Sequence, residues 1–287
     1  MSIFSRKVKL IAHLGAHKTA TSLVQSYFLT KQDYYLTQGL NFISRSDISP
    51  HISWGDRVIE CPQGIQDCVS TAMKVRGVTS VLFSNENALG KPFRKAPGLY
   101  PEHDKIIAAF AKAFDSFDAN IVYTIRPQYS FLESYYLQRI HQGDSLSFGD
   151  FIKGIDLDRL HWTPIVDALK REFGADRVTV IDFELIRQGQ MRFIQEFVSR
   201  TISPDITVDT DYDSVKNPSI SARGLEIALR VNPLLEKGEK GLMRKFLQAN
   251  FSNQTEPRPV LMDDELRDNL IAKYQSEYRE LVGSADA

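Results

Sequence analysis

The run LIAHLGAHKTATS, residues 10–22, decides how the rest of the chain is read. Val8 to Leu14 is short and mostly apolar and ends at a glycine, the pattern of a strand buried in a parallel sheet. Thr19 to Leu29 reads as a helix with Leu23, Val24 and Phe28 on one face. A strand, Gly15 and a helix start in this order form a cradle for a phosphate. The first turn of a helix offers unpaired amides and the positive end of the dipole. Gly15 permits the sharp turn, and Lys18 adds a mobile point charge. Thr19, Thr21 and Ser22 add hydroxyl donors. Alone, the same residues also read as the start of an ordinary surface helix, because short motifs match by chance.

The spacing excludes the longer ATP-binding loop Gly-x-x-x-x-Gly-Lys-Thr. Counted back from Lys18, its glycine positions hold Ala12 and His17. The residue after the strand Ile121 to Ile125 is Arg126, where a Mg²⁺ site would need a carboxylate. The ligand therefore carries phosphate but is not Mg-ATP.

Further strands are expected at Val78 to Phe83, Ile121 to Ile125 and Val178 to Ile181. Helical patterns lie between them at Ile106 to Phe114, Phe131 to Ile140 and Pro164 to Phe173. Alternating strands and helices imply an α/β protein, a three-layer sandwich with a central parallel sheet. After Phe183 only helices are expected, at Met191 to Arg200, Ala222 to Leu235, Gly241 to Gln248 and Glu265 to Val282. The polar stretches 203–219 and 252–259 read as substrate-gating loops or as plain connections. Asn217, Pro218 and Ser219 mark a stop before a helix that Ser221 would cap. The chain is expected to be one domain over 1–287, with an α/β core in 1–185 and a helical C-terminal cap in 186–287.

The net charge of −1 in 287 residues gives no global pull toward nucleic acid or an anionic membrane. An anion site must be local. Cys61 and Cys68 match neither a zinc pair nor a disulfide framework, which suits a cytoplasmic protein with reduced thiols. No signal peptide is expected at the N-terminus, and no apolar run reaches the roughly 18 residues that span a bilayer.

A second anion site is expected at Arg126 and Ser134. Arg126 stands at the carboxyl edge of the sheet, where ligands bind in open α/β folds, and Ser134 lies on the helix that follows. A guanidinium fork and a hydroxyl can meet on one anion. Separately, either residue reads as ordinary structure. Together with the first cradle they suggest one ligand with two phosphate-like groups. Past the second strand, Glu86 falls beside the first loop as a candidate general base, His17 is the runner-up, and each has a structural reading. For Glu86 that reading is a loop cap or a pair with a nearby lysine. For His17 it is a bond to backbone. His13 reads as packed or locally paired.

These segments resemble the PAPS-dependent sulfotransferases, in the branch that includes bacterial and glycan-modifying enzymes. HLGAHKTATSLVQ resembles the family's 5′-phosphosulfate loop, and IVYTIRPQYSFLESYYLQ its 3′-phosphate motif, with Arg and Ser at an offset of eight. FGADRVTVIDFE resembles a later strand of the same branch. The resemblance covers most of the first 185 residues. It implies a P-loop NTPase-like fold and PAPS as sulfuryl donor, with no metal required. Lys18 would neutralise the bridging oxygen. His17, Thr19, Ala20, Thr21 and Ser22 would line the 5′-phosphate, Arg126 and Ser134 would hold the 3′-phosphate, and Glu86 would take the acceptor's proton. Ala20 departs from the family's usual glycine and fits if its φ is negative.

Gly238, Gly241 and Arg244 match a late Gly-x-x-Gly segment of the family poorly, and Lys237, Lys240, Arg244 and Lys245 also read as a solvated basic face or a groove for an acidic glycan. Tyr135, Tyr136, Trp54 and Trp162 are either core residues or stacking partners for a sugar or adenine ring. The partner expected is a small-molecule or glycan acceptor, with no nucleic acid. Its specificity is expected in the loop 44–68, in 87–100 and in the C-terminal third. The oligomeric state is left open. A Mg²⁺-dependent nucleotide kinase of divergent sequence and a non-catalytic nucleotide-binding protein are the competing readings.

Overall fold

The computed structural model describes residues 8–52, 54–94, 97–212 and 218–283. From the N-terminus, β1 (Lys9–His13), α1 (Thr21–Thr30), α2 (Gln32–Thr37) and β2 (Leu40–Ile43) are followed by α3 (Arg45–Ile48), α4 (Asp56–Glu60) and α5 (Pro62–Met73). Then come β3 (Ser80–Ser84), α6 (His103–Phe114), β4 (Asp118–Ile125), α7 (Gln128–His141) and α8 (Phe148–Lys153). The chain continues through α9 (Thr163–Phe173), β5 (Val178–Asp182), α10 (Gln190–Thr201), α11 (Ala222–Val231), α12 (Lys240–Asn250) and α13 (Asp264–Val282).

The chain divides into two compact units. One comprises Met1–Arg126, His161–Val215 and Glu277–Ala287, and the other Pro127–Leu160 and Lys216–Ser276. The spatial partition is not a cut at residue 185: α10 belongs with the sheet, and α7 and α8 with the second unit.

The first unit holds one five-stranded sheet of order β2-β3-β1-β4-β5, with every neighbouring pair parallel. This is the expected α/β class with a central parallel sheet. Buried strands without a polar face carry it, as in β1, where Leu10, Ile11, Ala12 and His13 are all inaccessible. Ile11, Leu82, Val122 and Ile181 pack with Val24, Tyr27 and Phe28 of α1 and with Phe193, Ile194 and Phe197 of α10. Strand neighbours point to the opposite face. There Phe83 meets Phe114 of α6, and Tyr123 meets Trp162 just before α9. Burying each such side chain stabilises the sandwich by about 2 kcal/mol.

Two sequence expectations change. The sheet has a fifth strand, β2, which four residues containing Asn41 did not announce. The expected loop 44–68 carries the first turns of the twelve-residue α5, which buries Ile65 and Val69, and before it α3 and α4, helices of four and five residues whose buried residues are Ile48 and Val58. Such helices have too few core residues to leave a helical period in the sequence. Part of the polar stretch after α10 is fastened to α1 and to Lys31, which follows it. Tyr27 donates to Asp209 O at 2.9 Å, Lys31 pairs with Asp209 at 2.9 Å, and Tyr212 bonds Ser26 at 2.8 Å. Asn217 lies outside the described residues.

In the second unit Asn232 Nδ2 donates to the carbonyls of Ile140 and Asp144 at 2.9 and 2.8 Å, joining α7 to the turn after α11. Ser221 caps α11 as expected, accepting from Gly224 N at 3.1 Å and donating to Glu256 Oε2 at 2.6 Å. Among the described residues no helix is long and apolar enough to cross a membrane.

Candidate functional site

The carboxyl edge of the sheet is built around the end of β1. His13 stands level with Ser84 on β3 and Val122 on β4. The ladder runs on past the strand, with Leu14 N donating to Val122 O at 2.9 Å and Ala16 N to Thr124 O at 3.3 Å. His13 bridges its two neighbours through Nδ1 to Ser84 Oγ at 2.8 Å and Nε2 to Thr124 Oγ1 at 2.9 Å. Full burial lowers its pKa to about 3, so it stays neutral. Gly15 is needed directly above it: a Cβ there would lie 2.6 Å from His13 Nε2.

The loop itself is strained. Lys18 has φ +62° and Ala20 φ +64°, both in the left-handed region. The condition under which alanine fits, a negative φ, is not met at Ala20, and the family's usual glycine is the residue this backbone favours. The two left-handed residues turn the chain so that Leu23 N and Val24 N both donate to Ala20 O, at 2.9 and 3.1 Å. The amides of Thr21 and Ser22 then have no intrahelical acceptor. No side chain caps α1 and no acid lies in its first turn. Thr19 bonds Ala16 O at 2.5 Å instead. Thr21 is 2% exposed, and its Oγ1 is buried without a hydrogen-bond partner. Such a hydroxyl costs about 1–3 kcal/mol unless a ligand satisfies it. The α1 start therefore fits an anion, with Lys18 exposed at its rim.

His17 is 2% exposed. Tyr100 OH holds it, lying 2.9 Å from Nδ1 and accepting from His17 N at 2.8 Å. The ring also stacks on Trp54 at 6.1 Å. Burial lowers its pKa to about 4, a bond from Asn87 opposes that fall, and the charge of Lys18 adds to it.

Arg126 follows β4 and reaches the loop directly. Its Nη1 donates to Lys18 O at 2.8 Å, and its guanidinium lies 4.3 Å from the centroid of Phe183. Its own carbonyl accepts from Trp162 Nε1 at 3.0 Å. Behind it, Tyr278 donates to Asp182 Oδ1, and burial raises the pKa of that hydroxyl. A contact across 108 residues, such as that of Arg126 with Lys18, leaves no trace in local spacing. Ser134 lies on α7 in the second unit, half-buried.

Glu86 stands just past β3, with its side chain 18% exposed and Oε1 3.9 Å from Arg45 Nη1. Its partner is an arginine from α3 rather than a lysine. The preceding residue, Asn85, is pinned between strands: Asn85 N donates to His13 O at 2.9 Å and Asn85 Nδ2 to Ile52 O at 2.8 Å. One unit thus brings Lys18, Thr19, Ala20, Thr21, Ser22 and Arg126 into one loop neighbourhood. Glu86 and His17 join the same sheet edge through Asn85 and Asn87.

No family model matches the sequence, and no curated protein matches it. Two solved structures are similar to it at low identity. A sulfotransferase from Alicyclobacillus acidocaldarius is 16% identical, covering 89% of this chain and 98% of that one, with a TM-score of 0.43. A sulfotransferase domain from the curacin biosynthetic pathway is 10% identical, covering 94% of this chain and 97% of that one, with a TM-score of 0.40.

Proposed function

We propose that this protein is a sulfotransferase that moves a sulfuryl group from PAPS to a hydroxyl or amine of a small acceptor such as a carbohydrate. The observation that carries the reading is the open start of α1: an uncapped helix, a buried unpartnered Thr21 hydroxyl and a rim lysine on a strained turn. The amides of residues 19–22 and the Thr21 hydroxyl hold the 5′-phosphate. Lys18 offsets charge on the oxygen between phosphorus and sulfur as the S–O bond breaks. Such placed charge is worth about 3–4 kcal/mol in comparable sites. The acceptor oxygen or nitrogen forms the new bond to sulfur, its proton passes to the Glu86 carboxylate, and adenosine 3′,5′-bisphosphate leaves. Arg126 holds the 3′-phosphate and keeps the Lys18 carbonyl in place. Ser134 is assigned to the same phosphate on its sequence spacing from Arg126. A metal has no assigned part, and a cytoplasmic location suits the reduced cysteines.

Labelled PAPS offered with pooled hydroxyl and amine acceptors tests the reading. Label is expected to move to an acceptor in EDTA as fast as in Mg²⁺. Strict dependence on Mg²⁺ together with ATP binding would instead identify a nucleotide kinase. Tight bisphosphate binding without turnover on any acceptor would identify a non-catalytic nucleotide binder.

A further inference from the structure

Trp54 is 39% exposed, whereas Trp162 is fully buried. The exposed indole is nevertheless held firmly. On one side of it in sequence, Ile52 O is fixed by Asn85 Nδ2 at 2.8 Å. On the other, Gly55 packs on the Ala88 carbonyl, which a Cβ would approach to 2.4 Å. The ring stacks on His17 at 6.1 Å with 20° between planes, and His17 is fixed in turn by Tyr100. Lys91 Nζ lies 5.7 Å from the indole centroid, and the Lys91 side chain is exposed. Arg45, 55% exposed, and Glu86 stand together at 3.9 Å on the same sheet edge. An aromatic surface partly open to water, with His17 stacked against it and the exposed Lys91 ammonium over it, fits a polar ring with a C–H face and an anionic group that draws Lys91 to itself. An aryl acceptor calls instead for an enclosed apolar slot.

We propose that Trp54 is the acceptor platform of this site: the pyranose ring of an acidic saccharide stacks on the indole, and its anionic group meets Lys91. The assignment rests on the sulfuryl-transfer reading of the adjoining loop. Trp54 comes from the connection after β2 and Lys91 from the one after β3. The acceptor thus approaches from the β3 side of Lys18, and Arg126 lies on the β4 side.

Two measurements test it. In the first, Trp54 fluorescence is read during titration with cellobiouronic acid, with cellobiose as the neutral control and 4-nitrophenol as the aryl control. This readout needs no donor. The uronate is expected to bind at least tenfold more tightly than cellobiose, and Lys91→Gln is expected to bring the two within twofold. Equal binding of uronate and cellobiose, or tighter binding of 4-nitrophenol, would overturn the proposal. In the second, Trp54→Ala and Trp54→Phe are compared in transfer from labelled PAPS to the uronate. The acceptor KM should rise at least tenfold in Trp54→Ala and less in Trp54→Phe, with adenosine 3′,5′-bisphosphate affinity unchanged in both. An unchanged KM in Trp54→Ala overturns the platform. Selective uronate binding by a wild-type protein that neither binds the bisphosphate nor transfers sulfate would support the platform and reject the donor reading instead.

Discussion

Around Gly15 and around Gly238 to Arg244 the chain carries the same ingredients, glycine, basic side chains and a helix start, yet the surroundings differ sharply. A Cβ on Gly15 would strike His13 Nε2 at 2.6 Å, whereas a Cβ on Gly238 or Gly241 would meet nothing within 4 Å. The first segment holds two left-handed residues and a buried hydroxyl without a partner. The second carries Leu242 at 68% and Phe246 at 50% exposure, and Lys240 is tied to Gly143 O at 3.0 Å within its own unit. Neither α1 nor α12 has a side-chain cap, so a missing cap does not separate them. Strain and an unsatisfied buried group do, because both cost stability that a folded chain otherwise avoids.

The largest expected effect is of pH on the histidines beneath the first segment. Burial lowers the pKa of His13 to about 3 and of His17 to about 4, from 6.5. As pH falls the unfolded chain therefore takes up protons first. The stability these rings confer is whole above about pH 6.5 and is lost progressively below it. Between pH 7 and 5 the two together should cost about 4 kcal/mol. Urea unfolding at both pH values measures this, and His17→Asn should remove about half of the loss. An unfolding free energy that is flat across this range would break the contrast at its base.

Glycine substitutions come next. Gly15→Ala should destabilise by about 2 kcal/mol, since the locked His13 ring must shift. Gly241→Ala, exposed and within α12, should stabilise by about 1 kcal/mol. Opposite signs in denaturant midpoints sharpen the comparison, and equal signs undo it. For the ligand, Thr21→Val should weaken adenosine 3′,5′-bisphosphate binding about tenfold while leaving stability unchanged or slightly raised. Calorimetric titration with the bisphosphate measures this, and in it Arg244→Gln should stay within twofold of wild type. The smallest effect expected is a gain of about 0.5–1 kcal/mol in Ala20→Gly, from relief of the left-handed alanine.

The sequence made one of these two segments legible and left the other ambiguous. β1, Gly15, Lys18 and the α1 face were readable because strand burial and helix periodicity are local patterns. Arg126 was placed correctly at a strand end, but its bond to Lys18 O joins residues far apart in the chain. The bonds of His17 to Tyr100 were hidden for the same reason. β2 and the short helices after it were missed because each buries too few residues to imprint a period. The positive φ of Ala20 runs against its residue type, so composition pointed the wrong way. Gly238 to Arg244 remained open because glycine and basic residues suit a solvated helix start as well as a phosphate site.

The central claim is that the α1 start positions Lys18 for sulfuryl transfer. Single-turnover transfer from labelled PAPS, with wild type and Lys18→Ala both saturated with donor, tests it most directly. The account predicts a rate 10²–10³-fold lower in Lys18→Ala, about 3–4 kcal/mol, with bisphosphate still bound. Transfer as fast as wild type in that variant would contradict it.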